Sequence, residues 1–345
     1  MLNAASRTSF RNGLIVALLA ILLAGLALAA CAMGVVGIPP GEVLRGLLDG
    51  MRGAADSMDG MVAGILFDVR LPRILTCAAV GFGLAVAGAV FQGLLLNPLA
   101  DPFTLGVSSG AAFGAALALL LGLSFFGSAT LMTLAFAGAA LTLAAVIALA
   151  GRDGELAPTS LILAGVIVSA TLSAGISFIK YLADERVSVI VFWLMGSFVG
   201  RTWDDAALAG AASLGVFAIC LYFGRDLNVM SLGARSARSL GVDTGRVRLI
   251  LLVAASLASA VCVAVSGIIG FVGLIVPHLM RMIVGPDNRW LLPASGLGGA
   301  ILLLLADTVT RAALPHEVPI GVLTAIIGGP VFCWIFSRSR RLARG

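Results

Sequence analysis

The chain has 345 residues, of which 60% are hydrophobic and 11% charged, whereas soluble domains carry about 25% charged residues, so a water-soluble fold is excluded. Its net charge of +5 rests on 21 arginines and one lysine, Lys180. These punctuate the ends of apolar runs instead of forming one patch, the pattern of membrane topology signals, which excludes a nucleic-acid-binding face.

A helix rises about 1.5 Å per residue and the hydrocarbon core is about 30 Å thick, so a crossing takes roughly 20 apolar residues. Ten runs approach that length, at 14–35, 74–95, 105–123, 129–150, 159–182, 206–223, 249–266, 268–284, 291–311 and 319–336. The reading is an all-α polytopic membrane protein of about ten transmembrane helices, a single domain over residues 1–345. With the N-terminus in the cytoplasm, 14 cations fall inside and eight outside, so the positive-inside rule puts both termini in the cytoplasm. The 43 glycines suit helices that approach closely in lipid.

Arg7 and Arg11 precede a first run whose end, Leu28-Ala29-Ala30-Cys31, looks like a lipoprotein signal. The run from Leu14 to Val36 exceeds the roughly 7 to 15 residues of a signal core, and nine more runs follow, so it is read as an uncleaved helix. The polar stretch 37–73 lies outside; Pro39-Pro40-Gly41 breaks the chain before Glu42 to Asp49, which form a short surface helix. Gly106, Gly110 and Gly114 recur every four residues, which puts a close helix-helix seam on one face of the third run; the alternative is backbone lining a substrate path. Residues 188–200 are apolar but too short to cross, so they read as a half-helix or re-entrant segment, or as an interfacial helix anchored by Trp193 and Trp203.

Residues 224–248 form the longest cytoplasmic loop. Gly233 and Gly241 divide it into two helix-sized pieces, Asn228 and Ser231 can cap them, and Leu227, Met230, Leu232, Ala237 and Leu240 supply a small apolar face. Such a face suits docking into a partner's groove; the alternative is a solvated linker. Further along, Asp307 and Arg311 are one turn apart and read as a mutual ion pair.

Nothing in the chain supplies an energy source. No Gly-rich loop ends in Gly-Lys-Ser/Thr, and Lys180 stands between Ile179 and Tyr181, so the polypeptide is not itself an ATPase. A proton-coupled secondary carrier would place ionisable groups mid-membrane, and these are nearly absent. His278 and His316 form no ligand cluster with the cysteines, so neither a metal site, a cofactor nor a catalytic residue is expected. Cys31, Cys77, Cys220, Cys262 and Cys333 sit in apolar runs without a CxxC pair and read as small buried hydrophobes.

Five ordered stretches carry a resemblance: RLPRIL (Arg70 to Leu75), GAVFQGLLLNPLADPFTLGVSSGAAFG (Gly88 to Gly114), LNVMSLGARSARSLGV (Leu227 to Val242), GIIGFVGLIVPHLMR (Gly267 to Arg281) and VPIGVLTAIIGGPVF (Val318 to Phe332). Together they resemble the permease subunits of bacterial ABC importers for iron-siderophore, haem or cobalamin. The resemblance implies an inner-membrane homodimer of ten-helix subunits, two cytoplasmic ATP-binding-cassette ATPase subunits and an extracytoplasmic substrate-binding protein delivering a metal chelate, with a ferric siderophore favoured over cobalamin or haem. It also implies that Arg70, Arg73 and Arg311 receive acidic residues of the binding protein, and that Asn97, Leu99, Thr159 and Ser160 narrow a cytoplasmic gate. Within residues 224–248, Leu227, Met230, Leu232, Gly233, Ala237, Leu240 and Gly241 would couple to the ATPase. His316-Glu317 before Val318-Pro319 departs from the more apolar lead-in of many relatives.

Overall fold

A computed structural model describes residues 2–34, 36–51, 59–127, 129–151, 156–312 and 317–342, with side chains described within 7–333. His316, Arg52, Arg152 and Arg344 lie outside the described residues, as do the side chains of Arg338, Arg340 and Arg341. Among the described residues the regular structure is helical.

Helix α1 spans Leu2–Ala32. The short outer helix expected near Glu42 is α2, Pro40–Met51; Pro40 opens it with a pre-set φ, and Glu42 suits the positive end of its dipole. Next comes α3, Gly60–Gly64, capped by Asp59, whose side chain accepts from the Met61 amide. It continues through a π-helical segment, Ile65–Arg70, into α4, Leu71–Leu94. The second span therefore begins well before residue 74. In a regular α-helix the Pro72 ring would clash with the Asp68 carbonyl, and the wider π turn lies where that clash would fall.

The remaining elements are α5 Val107–Leu121, α6 Ala129–Ala150, α7 Pro158–Leu182, α8 Val187–Leu194, α9 Trp203–Tyr222, α10 Gly224–Met230, α11 Ala234–Ser239, α12 Thr244–Ser266, α13 Val272–Val284, α14 Asn288–Ala312 and α15 Ile320–Leu342. Apolar helices thus stand at all ten expected places. Seven are long and apolar enough to cross a membrane: α1, α3–α4, α6, α7, α9, α12 and α14. Helices α5 and α13, at 15 and 13 residues, reach only about 20 Å. The third and eighth runs were expected to start at 105 and 268, but their first residues are non-helical. Backbone of this kind is tolerated at membrane depth where it is buried in protein, and Ala100, Leu105 and Ile269 are buried.

Small residues set the packing. A Cβ on Gly81 of α4 would stand 2.3 Å from the Gly299 carbonyl oxygen of α14, so these backbones touch. The seam on α5 meets α6: a Cβ on Gly110 would lie 2.5 Å from the Gly138 oxygen, and one on Gly114 2.1 Å from the Leu134 oxygen.

The two ends of the bundle sort cleanly. Asn12 of α1 donates to the Val284 carbonyl ending α13, and Asn228 of α10 bonds Asp287 just before α14 and Asn288 at its start. These mark the N-terminal face. The opposite face gathers the end of α1, the start of α4 and the end of α14.

Candidate functional site

On the opposite face, Arg70, Arg73 and Arg311 converge, only 4%, 8% and 8% exposed. Arg73 grips Asp307, which is 0% exposed, through Nη2 at 2.8 Å and Nε at 3.0 Å. Its Nη1 and Nη2 also donate to Glu317 at 3.1 and 3.2 Å. The expected Asp307–Arg311 pair is a loose contact of 3.8 Å; the closer partner comes from α4. Arg311 instead donates to the Ala30 carbonyl at 2.8 Å, and Arg70 donates to the Cys31 and Val36 carbonyls. Ala30 and Cys31 lie in the last turn of α1, so Arg70 and Arg311 close its electron-rich C-terminal end. A cavity of about 180 Å³ remains, lined by Gly34, Val36, Ile65, Val69, the three arginines and Glu317.

On the N-terminal face, Asn97 makes an Asx turn, its Oδ1 accepting from the Leu99 amide at 3.0 Å. Leu99 is exposed. Asp101 organises the rest of this loop: its Oδ1 accepts from the Phe103 and Thr104 amides and the Thr104 hydroxyl. The loop seats on α7, where a Cβ on Gly165 would stand 2.4 Å from the Thr104 oxygen. Thr159 and Ser160 sit in the first turn of α7 without acting as its cap; the N-cap is Ala157, with no side-chain hydrogen bond. Along α7, Thr171, Ser173 and Ser177 are exposed on an otherwise apolar span.

Between these ends, α8 is the half-helix expected in 188–200. It stops at Met195, and Gly196 with φ +72° turns the chain against the unwound segment 267–271. Ser197 N donates to Ser266 O at 2.8 Å, and Ile320 N and Gly321 N donate to Gly196 O and Met195 O at 3.1 and 3.0 Å. Backbone groups left open after α8, at the end of α12 and at the start of α15 are thus satisfied by one another. Only glycine fits here: a Cβ on Gly321 would meet Met195 O at 2.4 Å and Ile268 O at 2.6 Å. A cavity of about 660 Å³ adjoins the junction, lined by Asp101, Phe103, Leu194, Met195, Ile268, Gly270, Phe271, Leu274, Gly321, Val322, Ala325 and Ile326. Asp101 is its single ionisable lining residue. The sequence reading did not identify this lining, although the two glycines of GIIGF were a signal for interrupted helix.

The loop 224–248 folds as α10 and α11, and its apolar face divides in two. Leu227, Met230 and Ala237 are buried, whereas Leu232 and Leu240 are 68% and 66% exposed. Leu227 packs on Gly93 of α4, so the inward set holds the loop to the bundle. Only Leu232 and Leu240 face outward, beside Gly233 at φ +103° and Gly241 at φ +86°. Asn228 does not cap; it pins α10 to the start of α14. Among the described residues no group of three or more His, Cys, Asp or Glu could hold a metal. Four cysteines are buried, but Cys333 is exposed.

The model of the FecCD transport family matches residues 17–338. A cobalamin import permease of Halobacterium salinarum is 43% identical over 272 residues, covering 79% of this chain and 73% of its own length. An Fe(3+)-citrate import permease of Bacillus subtilis is 36% identical over 340 residues, covering 97% and 98%. An inward-facing structure of a metal-chelate type ABC transporter superposes with a TM-score of 0.82 at 36% identity, covering 94% of this chain and 99% of that one.

Proposed function

The chain belongs to the FecCD transport family, and on that premise we propose that it works as a homodimer with two cytoplasmic ATP-binding-cassette subunits and an external binding protein, carrying ferric siderophore inward. It is a permease of the metal-chelate ABC importer type. ATP hydrolysis falls to the separate subunits, because this chain has no phosphate-binding loop. The N-terminal face is the cytoplasmic one; it carries Arg7, Arg11, Arg225, Arg281 and Arg289, which supports both termini inside.

The observation that carries the cargo reading is the 660 Å³ cavity at the junction of α8, 267–271 and α15, apolar but for Asp101. Pockets of this size and polarity hold bulky ligands with few fixed contacts, and a single carboxylate engaged by the Phe103 and Thr104 amides and the Thr104 hydroxyl of its own loop is no proton relay. A ferric chelate is favoured because the ferric-citrate permease matches nearly end to end. Cobalamin is the second reading, favoured by the 43% identical relative. The outward cavity beside Arg70, Arg73 and Arg311 receives an acidic side chain of the binding protein; three guanidiniums face two carboxylates there, leaving one positive charge in excess. Asn97, Leu99, Thr159 and Ser160 narrow the cytoplasmic exit, and Leu232 and Leu240 meet the ATPase.

The test is uptake into proteoliposomes holding the permease, its ATPase and its binding protein. Radiolabelled ferric hydroxamate should accumulate only with ATP. Accumulation of cobalamin or haem instead would reassign the cargo, and uptake independent of ATP would overturn the importer reading.

A further inference from the structure

Where α9 ends and α14 begins on the N-terminal face, a cavity of about 470 Å³ is lined by Leu221, Gly224, Arg225, Asn228, Asp287 and Arg289. It takes no part in the path or in the outward arginine cluster. We propose that this cavity binds the phosphodiester headgroup of an anionic phospholipid, with Arg225 and Arg289 as the phosphate ligands.

Charge is the first argument. Both guanidiniums are exposed, and among the described residues neither has a carboxylate partner. Asp287 is already occupied: its Oδ1 accepts from Asn228 Nδ2 at 2.7 Å and from the Arg289 amide at 3.0 Å. The lining therefore carries a net charge of +1, which matches the single negative charge of a phosphodiester better than a dianion.

Depth is the second. Arg289 lies 5.4 Å from the centre of the Trp290 ring, and that ring rests on Gly13 of α1. There α1 passes from its polar end, with Arg7 and Arg11, to the apolar run beginning at Leu14. Tyr222 is exposed beside the cavity. Tryptophan and tyrosine collect at headgroup level, so the two arginines stand where lipid phosphates lie, and basic pockets between helices on this side recognise anionic headgroups.

Continuity is the third. Leu208, Leu214 and Leu221 are exposed along α9, and with Ala211 and Ala218 they form a helical stripe ending in the cavity wall. Acyl chains laid on that stripe bring the headgroup to the arginines. A soluble anion gains nothing from it.

Native mass spectrometry of the purified chain with synthetic phosphatidylglycerol and phosphatidylcholine separates the outcomes. Phosphatidylglycerol should stay bound where phosphatidylcholine does not, and R225Q/R289Q should lower its apparent affinity about 25-fold, at about fivefold per arginine. R225K/R289K should retain most of it. On the unmodified chain, retention should fall as salt rises, because exposed charges are screened, and millimolar inorganic phosphate should not displace the lipid. Equal retention by R225Q/R289Q, or salt-insensitive retention by the wild type, overturns the proposal. So does displacement by phosphate, which would make the cavity a free-anion site. So does a variant that keeps its lipid but loses the ATPase subunits, which would make it a protein contact.

Discussion

Replacing Asp307 by alanine should destabilise the protein by about 3 to 5 kcal/mol, the cost of leaving a buried charge without its partner. Asp307 is fully buried and accepts from both Nε and Nη2 of Arg73, whose own side chain is 9% exposed. Removing the carboxylate leaves two guanidiniums, Arg73 and Arg311, close together in the same buried site. Glu317 still holds the far edge of Arg73, but that carboxylate is 40% exposed, so it offsets little. For the same reason Glu317→Gln should cost only about 0 to 1 kcal/mol. Removing both partners, as Arg73→Met with Asp307→Leu, should come closer to neutral than Asp307→Ala alone, since one buried guanidinium, Arg311 on the Ala30 carbonyl, is then left without a carboxylate instead of two. Reversible unfolding in mixed micelles with increasing dodecyl sulfate gives all three values. A loss under about 1 kcal/mol for Asp307→Ala, or a double variant no more stable than the single one, would refute the reasoning.

Three other changes probe the coupling loop and the junction. Leu232→Asp with Leu240→Asp touches side chains that are already exposed, so the chain should fold normally and lose ATP-driven uptake; full uptake by this variant would remove the coupling role. Ala237→Asp, at a fully buried position, should instead lower expression, because an unpaired charge enters the loop's own packing. Gly321→Val drives a side chain into two backbone carbonyls within 2.6 Å, so uptake should fall at least tenfold while the ATPase still binds, as co-purification would report; normal uptake would show that the junction is not part of the path.

The ten helices were legible because lipid leaves the backbone few options, and long apolar runs record that constraint directly. Their starts were less so. Gly267 to Phe271 is as apolar as a helix, and hydropathy does not distinguish helix from buried, unwound chain. Conversely, Asp68 and Arg70 suggested a loop where α3 and α4 run on, since the polarity of both is absorbed by folding or by water at the outer end. The arginine motif stood out in the sequence, but Arg73 and Asp307 are 234 residues apart, and no local period relates them. In the loop 224–248 every apolar residue suited docking, and only the position of Gly93 beneath Leu227 separates those that face inward from those that face outward. Asn228, read as a cap, had its partners 59 and 60 residues away.

The distribution of burial separates a fixed part from a moving part. In their most apolar windows α4, α12 and α14 are 78%, 67% and 61% buried, against 11%, 28%, 22% and 33% for α1, α6, α7 and α9. Helices α4 and α14 touch backbone to backbone at Gly81 and Gly299, and α12 sets the Cys262 side chain against Gly83; the three form a column, and close-packed interiors have discrete arrangements and resist continuous deformation. Helix α7 presents exposed hydroxyls to the side, and a few backbone hydrogen bonds join α15 to the end of α8 and the residue after it, and Ser197 to the end of α12. Elements with few buried contacts open at the lowest free energy. Alternating access in this protein is therefore expected to move α7, α8 and α15 against the column. The loop 224–248 is tied to that column through Leu227 on α4 and Asn228 at α14. Under the proposed function, displacement of the loop by ATPase closure would reach the column first, and the path would open or close where α8 and α15 meet the unwound segment.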